Sequence, residues 1–260
     1  MSERMIDQAR RLVADRFPDA LAALLAGSAA AGTATATATS DLDLAVLVAD
    51  GGGTYRETVR HEGRVVELFV HTGTGLAELF AVDAASRRAV LQNMYATGLL
   101  LTDPDGHGAR ARERAEADLR QGPPALAPET VETRRYGLTD LLADLADAGD
   151  ARDVGDARDA RGTGGAAERL AIAGEVLTAA ADLLWDHCRA WTGAGKWLPR
   201  RLREADPVLG PALVDGHLRL CRDGDPQPLA QAARQVLDLV GGPLSEGYRR
   251  TWHGTIERTV

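Results

Sequence analysis

One short segment constrains this chain more than any other: Asp-Leu-Asp-Leu-Ala-Val-Leu-Val, residues 41–48. A low-complexity stretch of Ala, Thr and Gly precedes it, and Gly51-Gly52-Gly53 breaks the chain soon after. An apolar run this short, bounded by such breakers, reads as a strand and not as a helix. Side chains alternate across a strand, so Leu42, Leu44, Val46 and Val48 face a core. Asp41 and Asp43 then share the opposite face, roughly 6.5–7 Å apart along the backbone.

Other elements gather around this strand. Residues 4–17 carry Met5, Ala9, Leu12, Val13 and Phe17 at helical spacing, and Pro18 ends that helix. Residues 21–26 read as a buried strand closed by Gly27-Ser28. Residues 29–39 read as a loop. Residues 55–61 and 64–71 flank Glu62-Gly63 as a hairpin. Residues 76–97 read as helical with a break near Asp83, residues 98–102 as a strand, and residues 109–119 as a charged helix.

Gly122-Pro123-Pro124 is the expected boundary between a first domain, residues 1–120, and a second, residues 125–260. The second reads as all-helical, with helices near 128–148, 166–192, 197–204, 207–222, 226–240 and 244–257. Residues 150–165, rich in Asp, Arg and Gly, read as an exposed loop. The expected fold is a mixed α/β (α+β) domain followed by a helical bundle. Small-molecule sites often lie in the cleft between two such domains.

Composition excludes several function classes. The 260 residues carry a net charge of −8, which argues against a general basic surface for extended nucleic acid and leaves room for a cationic acceptor. No apolar run approaches membrane-spanning length, and the amphipathic N-terminus has no signal-peptide core. A cytoplasmic protein is expected. Cys188 and Cys221 lack metal-ligand spacing; Cys188 reads as a small core residue. None of the six histidines shows metal spacing, and all read as surface or partly buried. Aromatics make up 4% of the chain, so Ala, Leu and Val must build the core.

Three features of the first domain carry chemistry. Paired aspartates on one strand face repel unless a cation lies between them. Magnesium favours such oxygen donors and keeps positions open for phosphates. Glu67, a charge within the apolar run Val65-Val66-Glu67-Leu68-Phe69-Val70, is the candidate third carboxylate. Two ions about 3.5–4 Å apart can bridge the attacking and leaving oxygens of phosphoryl transfer. Gly27 lets the backbone approach a phosphate, and Ser28 offers a hydroxyl and an N–H. Ser40 directly precedes the acidic pair.

The run from Leu24 through Gly27-Ser28 to Ser40-Asp41-Leu42-Asp43 resembles the Gly-Ser…Asp-x-Asp signature of the DNA polymerase beta nucleotidyltransferase superfamily. It is most similar to the bacterial aminoglycoside and lincosamide nucleotidyltransferases and the minimal nucleotidyltransferases. The resemblance covers roughly residues 1–105. It implies a small mixed sheet flanked by helices, two magnesium ions held by Asp41, Asp43 and Glu67, and an NTP, ATP above all, as co-substrate. Two departures stand out. Ala31 occupies the place of the family's arginine, and the spacer from Ser28 to Asp41 is longer than the family's.

In the second domain, Lys196 is the chain's only lysine and lies in the turn Trp191-Thr192-Gly193-Ala194-Gly195-Lys196-Trp197. It can serve as a point charge for an NTP phosphate or be a solvated loop cation. Tyr136, Asp140 and Asp144 fall on one helical face. Asp140 is a candidate general base for an acceptor hydroxyl, against the reading of a solvated acidic face. Glu168 and Glu175 are weaker candidates of the same kind. The leading expectation is an enzyme moving NMP from an NTP onto a small-molecule hydroxyl, with the oligomeric state, a homodimer included, left open. The alternatives are an antitoxin-like enzyme that adenylylates a protein and a degenerate nucleotide-binding module.

Overall fold

The computed structural model describes residues 3–27, 41–150 and 164–251. The chain divides into two compact units, Met1–Pro124 and Ala125–Val260. The fold is mixed α/β, a five-stranded sheet flanked by helices and followed by a helical region. Ser28, Ser40 and the Ala/Thr stretch between them lie outside the described residues. So do most of the Asp/Arg/Gly-rich stretch (residues 151–163) and His253.

The first unit is built on strands β1 (Ala22–Ala26), β2 (Leu42–Val48), β3 (Tyr55–His61), β4 (Arg64–Thr72) and β5 (Leu99–Thr102). Their order is β3-β4-β2-β1-β5. β2 and β4 are parallel, and every other pairing is antiparallel. Glu62 (φ 48°) and Gly63 (φ 81°) make the β3–β4 turn. Positive φ at both central residues is what a type I′ hairpin turn requires, and its twist matches that of the strands. That turn fixes His61 opposite Arg64 and Thr58 opposite Glu67.

Both faces of the sheet are covered. One carries Leu42, Leu44, Val46, Val66, Leu68 and Val70, packed on Ala9, Leu12 and Val13 of α1 (Glu3–Arg16). Polar contacts seat α1 on the hairpin. Arg11 bridges Glu62 through two hydrogen bonds of 2.9 Å, and Gln8 donates to the His61 carbonyl at 2.8 Å. The other face carries Ala22, Leu24, Ala26, Ala45 and Leu47. It packs on α2 (Gly73–Ala85), α3 (Val90–Thr97) and α4 (His107–Gln121).

The expected helical break near Asp83 falls at residues 86–89. Asp83 stays within α2, and its carboxylate caps the following helix by accepting from Leu91 N at 2.7 Å. His71 corrects the expectation for the histidines. It is buried beneath the sheet, with Nδ1 3.0 Å from the Tyr95 hydroxyl.

The second unit contains α5 (Pro128–Asp150), α6 (Gly164–Cys188), α7 (Leu198–Ala205), α8 (Leu209–Asp223) and α9 (Gln227–Leu239). Leu138, Leu142 and Leu145 of α5 share one core with Val176, Leu183 and Leu184 of α6 and with Leu229, Val236 and Leu237 of α9. Arg134 donates to the buried Asp186 at 2.5 Å, tying α5 to α6. Cys188 is exposed at the end of α6, because the helix stops there and its last turn leaves the core.

No helix forms over residues 244–251. Side chains of α5 hold the chain where this segment begins: Arg135 donates to the Gly241 and Gly242 carbonyls, and Thr139 accepts from Leu244 N. Tyr136 stacks on Tyr248 at 4.2 Å between ring centroids. Gly241 and Gly242 at positive φ turn the chain into that path. Among the described residues no helix is long and apolar enough to cross a membrane.

Burial lowers the pKa of His71 from 6.5 to about 4. The unfolded chain therefore binds a proton that the folded one refuses between pH 6.5 and about 4. Stability is full above pH 6.5 and falls as the pH drops through that window, by about 3 kcal/mol at most for this group. Urea unfolding at pH 7.0 and 4.5 is expected to show the loss in the wild type and a smaller loss in His71→Gln.

Candidate active site

Asp43 and Glu67 are brought together by strand pairing. In the parallel register of β2 and β4 they are direct partners, with Leu42 opposite Val66 and Leu44 opposite Leu68. Neighbouring strands lie about 4.8 Å apart, and paired residues project to the same face. The two carboxylates therefore stand side by side on the face that carries Ala45, Leu47, Phe69 and His71. Its helical cover stops short of them: Asp43 is half-buried, and the Glu67 side chain is 26% exposed.

The antiparallel β1 closes the other flank. Ala26 pairs with Asp43, and Gly27 follows directly, at φ 70°. A Cβ at Gly27 would lie 1.9 Å from Asp43 Oδ2, deep inside van der Waals contact. Gly27 is thus required twice, once by its left-handed backbone and once by the carboxylate against it. Ala26 and Ala45, both fully buried, keep the surroundings of Asp43 small.

Asp41 stands one residue before β2 and is exposed. Among the described residues, no three His, Cys, Asp or Glu side chains are gathered as a group that could hold a metal ion. The site's acidic centre is the pair Asp43 and Glu67, with Asp41 at the head of the strand.

Sequence reasoning missed Arg56. From edge strand β3 its Nη2 donates to Glu67 Oε2 at 2.5 Å, and its guanidinium carbon lies 4.8 Å from the centre of the Phe69 ring. The signal was present. A two-residue turn at Glu62-Gly63 sets Phe69 opposite Arg56 and leaves Glu67 diagonal to it, within reach of a long side chain. The Arg56 side chain is 61% exposed, and ion pairs of that kind contribute about 0–1 kcal/mol.

Lys196 and Asp140 belong to the second unit. Lys196 sits in a single 3-10 turn, Gly195–Trp197, and is exposed. Trp191 is buried, whereas Trp197 is 42% exposed with Arg200 above its ring at 5.0 Å. Asp140 is exposed on α5. It does not line the groove of about 520 Å3 between α5 and α6, where Asp144, Asp147, Glu168 and Glu175 stand beside Leu141 and Ile172.

No protein-family model matches the chain, and no curated protein matches it. Among solved structures it is similar to a nucleotidyltransferase-like protein from Exiguobacterium sibiricum. That similarity is at 12% identity and a TM-score of 0.41, over 91% of this chain and 74% of the other.

Replacing Gly27 by Ala is expected to cost about 1–2 kcal/mol of stability from the left-handed backbone alone. The added methyl also displaces the Asp43 carboxylate. The same substitution at Gly53, an exposed glycine without positive φ, serves as control and should be near neutral in urea unfolding.

Proposed function

We propose that this protein is a magnesium-dependent nucleotidyltransferase that moves NMP, AMP in the first instance, from an NTP onto a hydroxyl of a small-molecule acceptor, with release of pyrophosphate. The observation that carries the reading is the side-by-side placement of Asp43 and Glu67, with a glycine backbone pressed against the first. The donor set suits a divalent cation. Two carboxylates at one level of a sheet offer hard oxygens on an open face, and Gly27 keeps side-chain bulk out of that space.

Asp43 and Glu67 would hold the cation, and Asp41, at the mouth of the same strand, would add a further oxygen ligand. A bound divalent cation supplies charge neutralisation at the transferring phosphoryl group. The chain's own part is positioning. β2 and β4 fix the two carboxylates in register, and the missing side chain of Gly27 gives the Asp43 carboxylate its room. Catalysis of this kind rests on orientation and electrostatics more than on covalent chemistry. Ser28 and Ser40 are proposed triphosphate contacts by their place in the sequence motif, Lys196 a further phosphate contact, and Asp140 the acceptor's general base.

The acidic groove of the second unit supports an acceptor that carries amines. Four carboxylates beside an apolar wall suit a cationic small molecule better than an anionic one.

Pyrophosphate release from ATP across a panel of amino- and hydroxyl-bearing acceptors, with magnesium present, tests the reading. Asp43→Asn is expected to bring turnover to background while the circular dichroism spectrum and unfolding midpoint stay near wild type. A variant that keeps near-normal turnover would overturn the assignment. NTP binding without pyrophosphate release on any acceptor would favour a nucleotide-binding module instead.

A further inference from the structure

The Arg56–Glu67 pair has features that an ordinary surface ion pair lacks. Its carboxylate is the partner in register of Asp43. The contact is one-sided, Nη2 to Oε2 at 2.5 Å, so it engages a single oxygen of Glu67. The guanidinium also lies over the ring of Phe69, two residues along from Glu67 on the same strand face. Arg56 also springs from β3, the edge strand of the sheet.

We propose that Arg56 is a resident counter-ion of the cation site: its guanidinium holds Glu67 while the site is empty, and a divalent cation must displace it to take that carboxylate. The inference rests on the reading of Asp43 and Glu67 as cation ligands. Two carboxylates on neighbouring strands repel when nothing positive stands near them. A guanidinium on one of them relieves that repulsion in the unloaded protein. A dication meets both carboxylates with twice the charge, and it repels the guanidinium. The exposed pair yields because it is weak in water, and the Arg56 side chain can swing into solvent from its aromatic seat.

Arg56 therefore lowers the site's affinity for divalent ions and makes occupancy depend on the extra negative charge that a nucleotide brings. It is a positioning residue acting through Glu67, and its effect belongs in cation affinity before it appears in turnover.

The test is a titration of the full chain with Mn2+, reading free Mn2+ by electron paramagnetic resonance without nucleotide. The set comprises wild type, Arg56→Gln, Arg56→Lys, Glu67→Gln, Arg56→Gln with Glu67→Gln, and Asp43→Asn. Arg56→Gln is expected to bind Mn2+ about two- to fivefold more tightly than wild type. Arg56→Lys should stay near wild type, because it keeps the competing charge. In the Glu67→Gln background most of the gain should vanish. If Arg56→Gln binds no more tightly than wild type while Asp43→Asn loses binding, the counter-ion role is wrong and the cation site stands. If neither wild type nor Arg56→Gln binds Mn2+, both the cation site and the role of Arg56 fall together.

Discussion

The arrangement depends first on the parallel pairing of β2 with β4. Its register places every second residue of each strand toward α1 and the alternate set toward α2, α3 and α4. A shift of one residue would send Leu44 and Leu68 to opposite faces and separate Asp43 from Glu67. The core and the acidic pair are therefore specified by one register. Burial of leucine and valine on the α1 face holds two like charges together on the other, at a cost the apolar core offsets.

The helix α1 guards that register from the far side. Its Ala9, Leu12 and Val13 fill the α1-facing core, and Arg11 and Gln8 reach the hairpin turn and the end of β3. Hydrogen bonding to Arg11 holds the Glu62 carboxyl below its usual range. The contact is solvent-exposed, so its contribution is alignment more than stability. Because β3 is pinned to β4 by the tight turn, fixing the turn also fixes Arg56 beside Glu67.

The strands were the most legible part of the sequence, because alternating apolar residues between breakers report the sheet almost directly. Residues 41–48 and the Glu62-Gly63 turn carried the centre of the fold, and with it the neighbourhood of Asp43 and Glu67. The failures have a common cause in side chains that act at long range. Residues 244–251 have helical spacing, but Thr139 of a distant helix takes the Leu244 N–H, and Arg135 of the same helix holds the Gly241 and Gly242 carbonyls just before them. His71 looks like any strand histidine until Tyr95, from another element, closes over it. Cys188 has apolar neighbours in sequence yet falls past the last buried turn of its helix. Arg56 follows from the hairpin register and not from its neighbours along the chain.

The small residues around the site also change meaning once the geometry is known. Read along the chain, Ala26, Gly27 and Ala45 belong to a sequence crowded with alanine and glycine and look like composition. In the sheet they surround one side chain: Ala26 is opposite Asp43, Gly27 lies against its carboxylate, and Ala45 is the next residue on its face. A larger group at any of the three would press on Asp43 or fill the space in front of it. Low side-chain volume at these positions is thus what gives the Asp43 carboxylate its room between β1 and β4. The apolar small residues and the charged ones are parts of a single requirement: a carboxylate seated against a backbone that carries no side chain.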